Sequence, residues 1–399
     1  MRLLRFGKLG LALAAACAAS APLQADDFAV PPYEGAYQPQ GEDERGLWMM
    51  ADEDERLLRD SRLVITDEAL NEYVRDVLCR TIGEDRCGSV RLYILRVPYF
   101  NASMAPNGTM RVYSGLLLRV RSEAELASVL GHEFAHFELR HTLWGFKRAR
   151  TGSDLVAWTT LLGAMAASYG GATSSSGADI QTSVLGTIYR YKRDHERAAD
   201  LLGFGYLANA GYRASAAADV WRGVMNESDR SAEIRGRRTN RYDSVAFFAS
   251  HPTDLERADT LSYLANRVQG GEREGSDAYR EAMAPWREEF LKDQLMLGDF
   301  GASDFLIERL AGEQWSPDLL YARAELYRGR GNPRDLVASA DFYRDALKQD
   351  PDLANAYRGL GLALLRTGNR TAGSEAIKIY LDRVPNAEDA GMLRMMMEQ

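Results

Sequence analysis

Residues 132–136 read His-Glu-Phe-Ala-His, and no other stretch restricts the fold of this chain as tightly. Each helical residue turns about 100°, so His132 and His136 stand about 40° apart on one face, one turn from each other. Two imidazoles in that relation converge on one cation if the segment is helical. Glu133, about 100° round from His132, stands beside that cation rather than on it, where a general base reaches an attacking water. Zinc suits two neutral imidazoles and a carboxylate, with a fourth position left open. The fold must therefore bring a third ligand from another segment to this helix. Histidines are scarce: His132, His136, His141, His195 and His251 are all there are. His141 lies nine positions beyond His132, about 180° away on a continuous helix, and reads as a supporting residue.

The segment Arg193-Asp194-His195-Glu196-Arg197-Ala198-Ala199-Asp200 supplies the carboxylates. Glu196 and Asp200 share a helical face. One carboxylate there ligates the ion, and the other accepts a ring N–H and fixes a tautomer. On spacing alone Asp194, His195 and Glu196 all contend for the ligand position. A charged, solvated helix face is the plain alternative.

The first 25 residues have the layout of a secretory signal peptide. Arg2, Arg5 and Lys8 precede an apolar run from Leu9 to Ala21, and Leu23-Gln24-Ala25 offers a cleavage site. Cys17 follows a poor lipid-attachment pattern, so lipid anchoring is not expected. Export to an oxidising compartment permits a disulfide between Cys79 and Cys87. No other stretch is apolar enough to span a bilayer. Leu155 to Tyr169 is interrupted by Thr159, Thr160 and Ser168 and is expected as a buried or interfacial helix. A net charge of -8 argues against nucleic-acid binding. With 46% apolar and 27% charged residues in 399, the chain has the material for two or three globular domains.

Along the chain, residues 26–60 read as an arm leading into a short charged helix. Thr66 is expected to cap a helix with Leu70, Tyr73, Val74, Val77 and Leu78 on one face. Val90–Val97 and Thr109–Tyr113 read as strands, the second after the turn Pro106-Asn107-Gly108. Ser122 with Glu125 forms a capping box before a helix reaching about 148. After the loop at 170–178, a helix is expected from about 180 to 209. The arginine-rich stretch 226–250 reads as a solvated loop. Toward the C-terminus Pro317, Pro351 and Pro385 recur every 34 residues. Ala322 aligns with Ala356 and Leu326 with Leu360, and Gly331 and Gly368 fall near the turns. That period is the tetratricopeptide signature, with a weaker unit expected from about Pro285. Such units bury their apolar faces by stacking and leave a concave face for ligands.

HEFAHFELRH with a later ERAAD resembles the HtpX-like and CAAX prenyl protease 1-like zinc metallopeptidases, which are gluzincins. The resemblance extends from Asn101-Ala102-Ser103 to Leu117 and includes Ser250-His251-Pro252 with Arg257 six residues on. It covers roughly residues 60–265 and is nearest to the exported, repeat-bearing branch of periplasmic β-barrel assembly-enhancing proteases. It implies an α+β, mainly α fold. A signal peptide (1–25) and N-terminal arm (26–60) precede a metallopeptidase domain with a small β-sheet (61–270). An α-helical tetratricopeptide array (285–399) follows. It implies one zinc ion per chain held by His132, His136 and Glu196, with Glu133 as the catalytic base. Asp200 and Arg257 support the ligands. His251 donates to the oxyanion or, as a fourth ligand, holds the enzyme latent. The strand at Asn101, Ala102 and Ser103 pairs with an extended substrate. The implied partners are polypeptide substrates and, through the repeats, outer-membrane β-barrel proteins and their assembly machinery. A chaperone or scaffold whose zinc is structural is the rival class. The open three-ligand pattern argues against it, because structural zinc is closed by four protein ligands.

Overall fold

The computed structural model describes residues 38–150, 193–239, 245–247, 251–253, 255–268 and 270–398. The expected signal peptide and Cys17, the apolar helix at 155–169, the loop at 170–178 and the first part of the helix expected from 180 lie outside those residues. Element labels below number the described elements. Among the described residues, no helix is long and apolar enough to cross a membrane.

The charged helix of the arm is α1 (Gly41–Arg59), and its buried face carries Leu47, Ala51 and Leu58. α2 (Glu68–Ile82) buries Leu70, Val74, Val77 and Leu78 as the period requires. Its cap is Asp67 rather than Thr66: Asp67 Oδ1 accepts from the Leu70 amide at 2.8 Å. A carboxylate at the N-cap also faces the positive end of the helix dipole. A short turn, α3 (Glu84–Cys87), follows, and a disulfide joins Cys79 to Cys87 with Cα atoms 4.9 Å apart.

A four-stranded sheet forms from β1 (Val64–Ile65), β2 (Arg91–Leu95), β3 (Ala102–Met104) and β4 (Thr109–Tyr113), in the order β1-β2-β4-β3. β2 and β4 run parallel, and the other pairs are antiparallel. β3 is thus an edge strand, in register Ala102 to Val112 and Met104 to Met110. The turn between β3 and β4 uses Gly108 at φ 91°, where an added Cβ would stand 2.3 Å from the Ser89 carbonyl oxygen.

After the short α4 (Ser114–Arg119) comes α5 (Glu123–Glu138), which carries the histidine motif. Ser122 Oγ accepts from the Glu125 amide at 3.1 Å. Glu125 reaches back one residue further than the capping box predicts and accepts from the Arg121 amide at 2.8 Å. α5 is buried around nearly its whole circumference and is the central helix of the core. The helix expected to run on to about 148 is broken. Arg140 takes φ 53°, and a new helix, α6 (His141–Arg150), starts after it.

α7 (Arg193–Asn209) crosses α5. α8 (Ala216–Ile234), a hairpin of β5 (Val245–Phe247) with β6 (His251–Thr253), and α9 (Leu255–Ala265) follow. α8 runs through residues expected as a basic loop; Arg230 lies on it, and Arg235 beyond its end pairs with Asp299 at 2.9 Å. One apolar core links Val77 of α2, Ile94 of β2, Leu130 and Phe134 of α5, and Leu207 of α7.

The C-terminal part is wholly helical: α10 (Ser276–Met296), α11 (Phe300–Ala311), α12 (Pro317–Arg330), α13 (Pro333–Gln349), α14 (Ala354–Arg366), α15 (Arg370–Arg383) and α16 (Ala390–Glu398). α12 packs on α13 and α14 on α15 through turns at Gly331 (φ 73°) and Gly368 (φ 84°). Ala322, Leu326, Ala356 and Leu360, the aligned positions, are all buried. Pro285 starts no unit: it lies inside α10, and that helix begins nine residues earlier. Phe290, Leu306, Ile307 and Leu319 join the core around α5, so the first C-terminal helices are built onto the sheet-bearing part. Tyr279 of α10 donates to the Leu117 carbonyl at 2.5 Å across that junction.

Candidate metal centre

α5 and α7 cross at glycines. Gly131 sits against the Gly203 carbonyl, and a Cβ on Gly203 would stand 2.9 Å from both Cα and N of His132. Side chains on the two helices therefore meet at short range. Glu196 and Asp200, one turn apart on α7, face His136 and His132, one turn apart on α5. His132 Nε2 and His136 Nε2 lie 3.1 Å apart. Glu196 places Oε2 at 3.5 Å from the first and Oε1 at 3.6 Å from the second. Among the described residues, this is the one group of three or more His, Cys, Asp or Glu whose ligand atoms lie within 4.8 Å of one another. Asp194 and His195, the other contenders, are not in it.

The set fits zinc. Bonds of about 2.0–2.2 Å to a tetrahedral ion put neighbouring ligand atoms roughly 3.3 Å apart. The His132–His136 and His132–Glu196 separations bracket that value, and all three residues are buried. The donors are borderline imidazole nitrogens and one carboxylate oxygen, which is zinc's preferred chemistry.

Further residues hold these side chains. His132 Nδ1 lies 3.0 Å from Asp200 Oδ1. Arg257 of α9 grips Asp200 in a two-pronged contact, Nε to Oδ2 at 2.7 Å and Nη2 to Oδ1 at 2.6 Å. Its remaining nitrogen, Nη1, lies 2.9 Å from Glu196 Oε2. Trp221 of α8 holds the guanidinium 4.3 Å above its ring. Burial works against charge on Asp200, but the Arg257 cation outweighs it and holds the carboxyl below its ordinary range. Burial likewise opposes charge on His132, yet the Asp200 carboxylate prevails and raises it.

His136 is held from behind by His141. The break at Arg140 carries His141 round to the α5 face, and the two Nδ1 atoms lie 2.9 Å apart. The expectation that His141 points about 180° away therefore fails, because it assumed an unbroken helix. The His195 ring lies parallel to that of His141, with centroids 4.3 Å apart. Burial first, and the nearby His195 second, push His141 down to about 4.

Glu133 is buried and lines a small pocket with His132, Asp200, Phe100, Ala102 and Trp221. Ala102 belongs to β3, the edge strand among the described residues, so that edge of the sheet borders the pocket that Glu133 lines. Asn101 and Ser103 flank it, both buried, and Asn101 Oδ1 and Ser103 Oγ have no hydrogen-bond partner among the described residues. His251 opens β6, and its side chain lies outside the described residues. Trp221 and the crossing glycines were missed in the sequence. The Gly-Phe-Gly of α7, with Gly131 one residue before the motif, was the available signal for a close crossing; Trp221 left none.

The pattern of peptidase family M48 matches residues 66–265. The chain is 35% identical over 166 residues to a putative β-barrel assembly-enhancing protease of Vibrio cholerae, an alignment covering 40% of this chain and 34% of that protein. It is 30% identical over 172 residues to metalloprotease YcaL of Escherichia coli, covering 43% of this chain and 59% of YcaL. Mitochondrial metalloendopeptidase OMA1 of Schizosaccharomyces pombe is 28% identical over 211 residues, covering 52% and 57%. The chain thus spans between about a third and three fifths of the length of these relatives.

Proposed function

The chain belongs to peptidase family M48, and on that premise we propose that it is a zinc-dependent endopeptidase of the periplasm that cleaves unfolded or misassembled envelope proteins. The observation that carries this reading is the buried trio of His132, His136 and Glu196 with Glu133 beside it on α5. Zinc bound there supplies a Lewis acid that activates water and polarises a carbonyl. Glu133 takes the proton from the attacking water and passes it to the leaving amine. Asp200, held by Arg257, keeps the His132 ring in place throughout. His251 either donates to the developing oxyanion or, as a fourth ligand, holds the enzyme latent. An extended substrate adds to the edge of β3 at Asn101, Ala102 and Ser103, which places its backbone along the pocket that Glu133 lines. The signal peptide at 1–25 directs export.

The C-terminal helix pairs act as tetratricopeptide repeats that hold clients or an assembly partner, with outer-membrane β-barrel proteins and their assembly machinery as the partner class. A cleft of about 1010 Å³ between α4, α10, α11 and α12, floored by Leu117, Met283, Phe290 and Trp315, supports a binding role for this part. It also favours a second reading, a chaperone or scaffold with little proteolysis. The test is Glu133→Gln, with zinc content and casein cleavage measured on the same preparation. We expect wild-type zinc and a loss of cleavage of about 10²–10⁴-fold. Undiminished cleavage sinks the assignment of Glu133. Wild-type protein that binds unfolded clients but never cleaves them favours the scaffold.

A further inference from the structure

His136 turns Nε2 toward the other ligands, 3.1 Å from His132 Nε2 and 3.6 Å from Glu196 Oε1. Its second ring nitrogen faces the other way and meets Nδ1 of His141 at 2.9 Å. Two ring nitrogens at that distance share one hydrogen: one donates and the other must be bare. A ligand nitrogen is bare too, so His136 carries its hydrogen on Nδ1. It follows that Nδ1 of His141 is bare and that its own hydrogen sits on Nε2.

We propose that His141 is the positioning residue of His136, accepting its Nδ1–H and so fixing both its tautomer and the direction of its ring. The left-handed backbone at Arg140 puts His141 there, and the parallel His195 ring backs it at 4.3 Å. The two ligand histidines are thereby supported differently. His132 leans on a carboxylate whose charge Arg257 neutralises, whereas His136 leans on a neutral ring. Neither support adds net charge, so among the described residues Glu196 and Glu133 supply the charge that matches a divalent ion. A carboxylate at 141 would upset that balance, which a histidine leaves intact.

This inference rests on the zinc-binding reading above, and its test separates the two. His141→Phe keeps a ring against His195 but has no acceptor. His141→Asn loses the ring but places Oδ1 near the former Nδ1. Zinc affinity is read by competition with a chromophoric chelator, and folding by thermal unfolding of the zinc-free proteins. We expect His141→Phe to weaken zinc by about 10–100-fold and His141→Asn to stay near wild type. His141→Phe binding like wild type, or both variants weakening equally, overturns the role of His141. A wild-type protein that binds no zinc overturns this inference and the proposed function together. If His141→Phe does not fold, long-range ¹H–¹⁵N spectra of zinc-loaded wild type, ¹⁵N-labelled at histidine, decide the matter. His136 protonated on Nδ1 and His141 on Nε2 supports the assignment; His141 protonated on Nδ1 overturns it.

Discussion

Removing Arg257 tests how the two carboxylates of α7 are held. The guanidinium donates twice to Asp200 and lies 2.9 Å from Glu196, and its side chain is 7% exposed against 9% and 1% for the two carboxylates. Arg257→Met deletes the cation and leaves two buried anions on one helix turn. Breaking such a pair costs about 3–5 kcal/mol. His132 moderates the loss, because without Arg257 it holds a proton more readily beside Asp200. At about 2–4 °C per kcal/mol, the melting temperature should fall by roughly 6–20 °C. Thermal unfolding of the zinc-free protein, followed by circular dichroism, reads this without a contribution from the metal. The pH dependence has a definite sign. Asp200 is depressed in the folded state, so its contribution is complete above the unfolded value near 3.8 and disappears as pH falls through the lower folded value. The gap between wild type and variant should therefore narrow as pH falls from 7, because in the variant His132 and the buried Asp200 both take up protons more readily, and it should close only below about pH 4. A drop under about 2 °C at neutral pH, or full recovery in Arg257→Lys, would refute the reasoning, because one ammonium cannot reproduce three contacts.

Two further outcomes are expected. Gly203→Ala puts a methyl 2.9 Å from the His132 backbone and forces α7 off α5. It should destabilise by about 1–3 kcal/mol and weaken zinc binding in the same chelator competition. Gly46→Ala, where nothing lies within 4 Å, serves as the neutral control. Replacing Cys79 and Cys87 together by serine should lower stability by roughly 2–3 kcal/mol, from denaturant melts, because the bridge closes only a short loop. Zinc content should not change, since neither cysteine belongs to the ligand group.

The parts of the site that were legible in the sequence are those set by local periods. His132 and His136 needed only a helix, and α5 supplies it. Thr109–Tyr113 announced β4 residue for residue, being short, partly β-branched and preceded by a turn. Which of Asp194, His195 and Glu196 faces the histidines was not legible, because the rotation of α7 about its axis is set by Gly203 lying on His132. The direction of His141 was hidden for a different reason. Its position depends on a left-handed φ at Arg140, which is not a glycine, and local propensity argues against that conformation. Pro285 misled because a proline read as the start of a helix also fits within one.

His136 and Glu196 are about sixty positions apart in the chain, yet their ligand atoms lie 3.6 Å apart. An ion held by both is a cross-link across that span, and the close α5–α7 crossing is its hinge plate. What the cross-link requires of the intervening chain is reach, not a particular conformation. Lengthening such a span is thermodynamically mild: each doubling of a flexible loop adds only about 0.6 kcal/mol to its closure. The four-residue spacings from His132 to His136 and from Glu196 to Asp200 permit no such change, because one insertion turns the following side chain about 100° off the face.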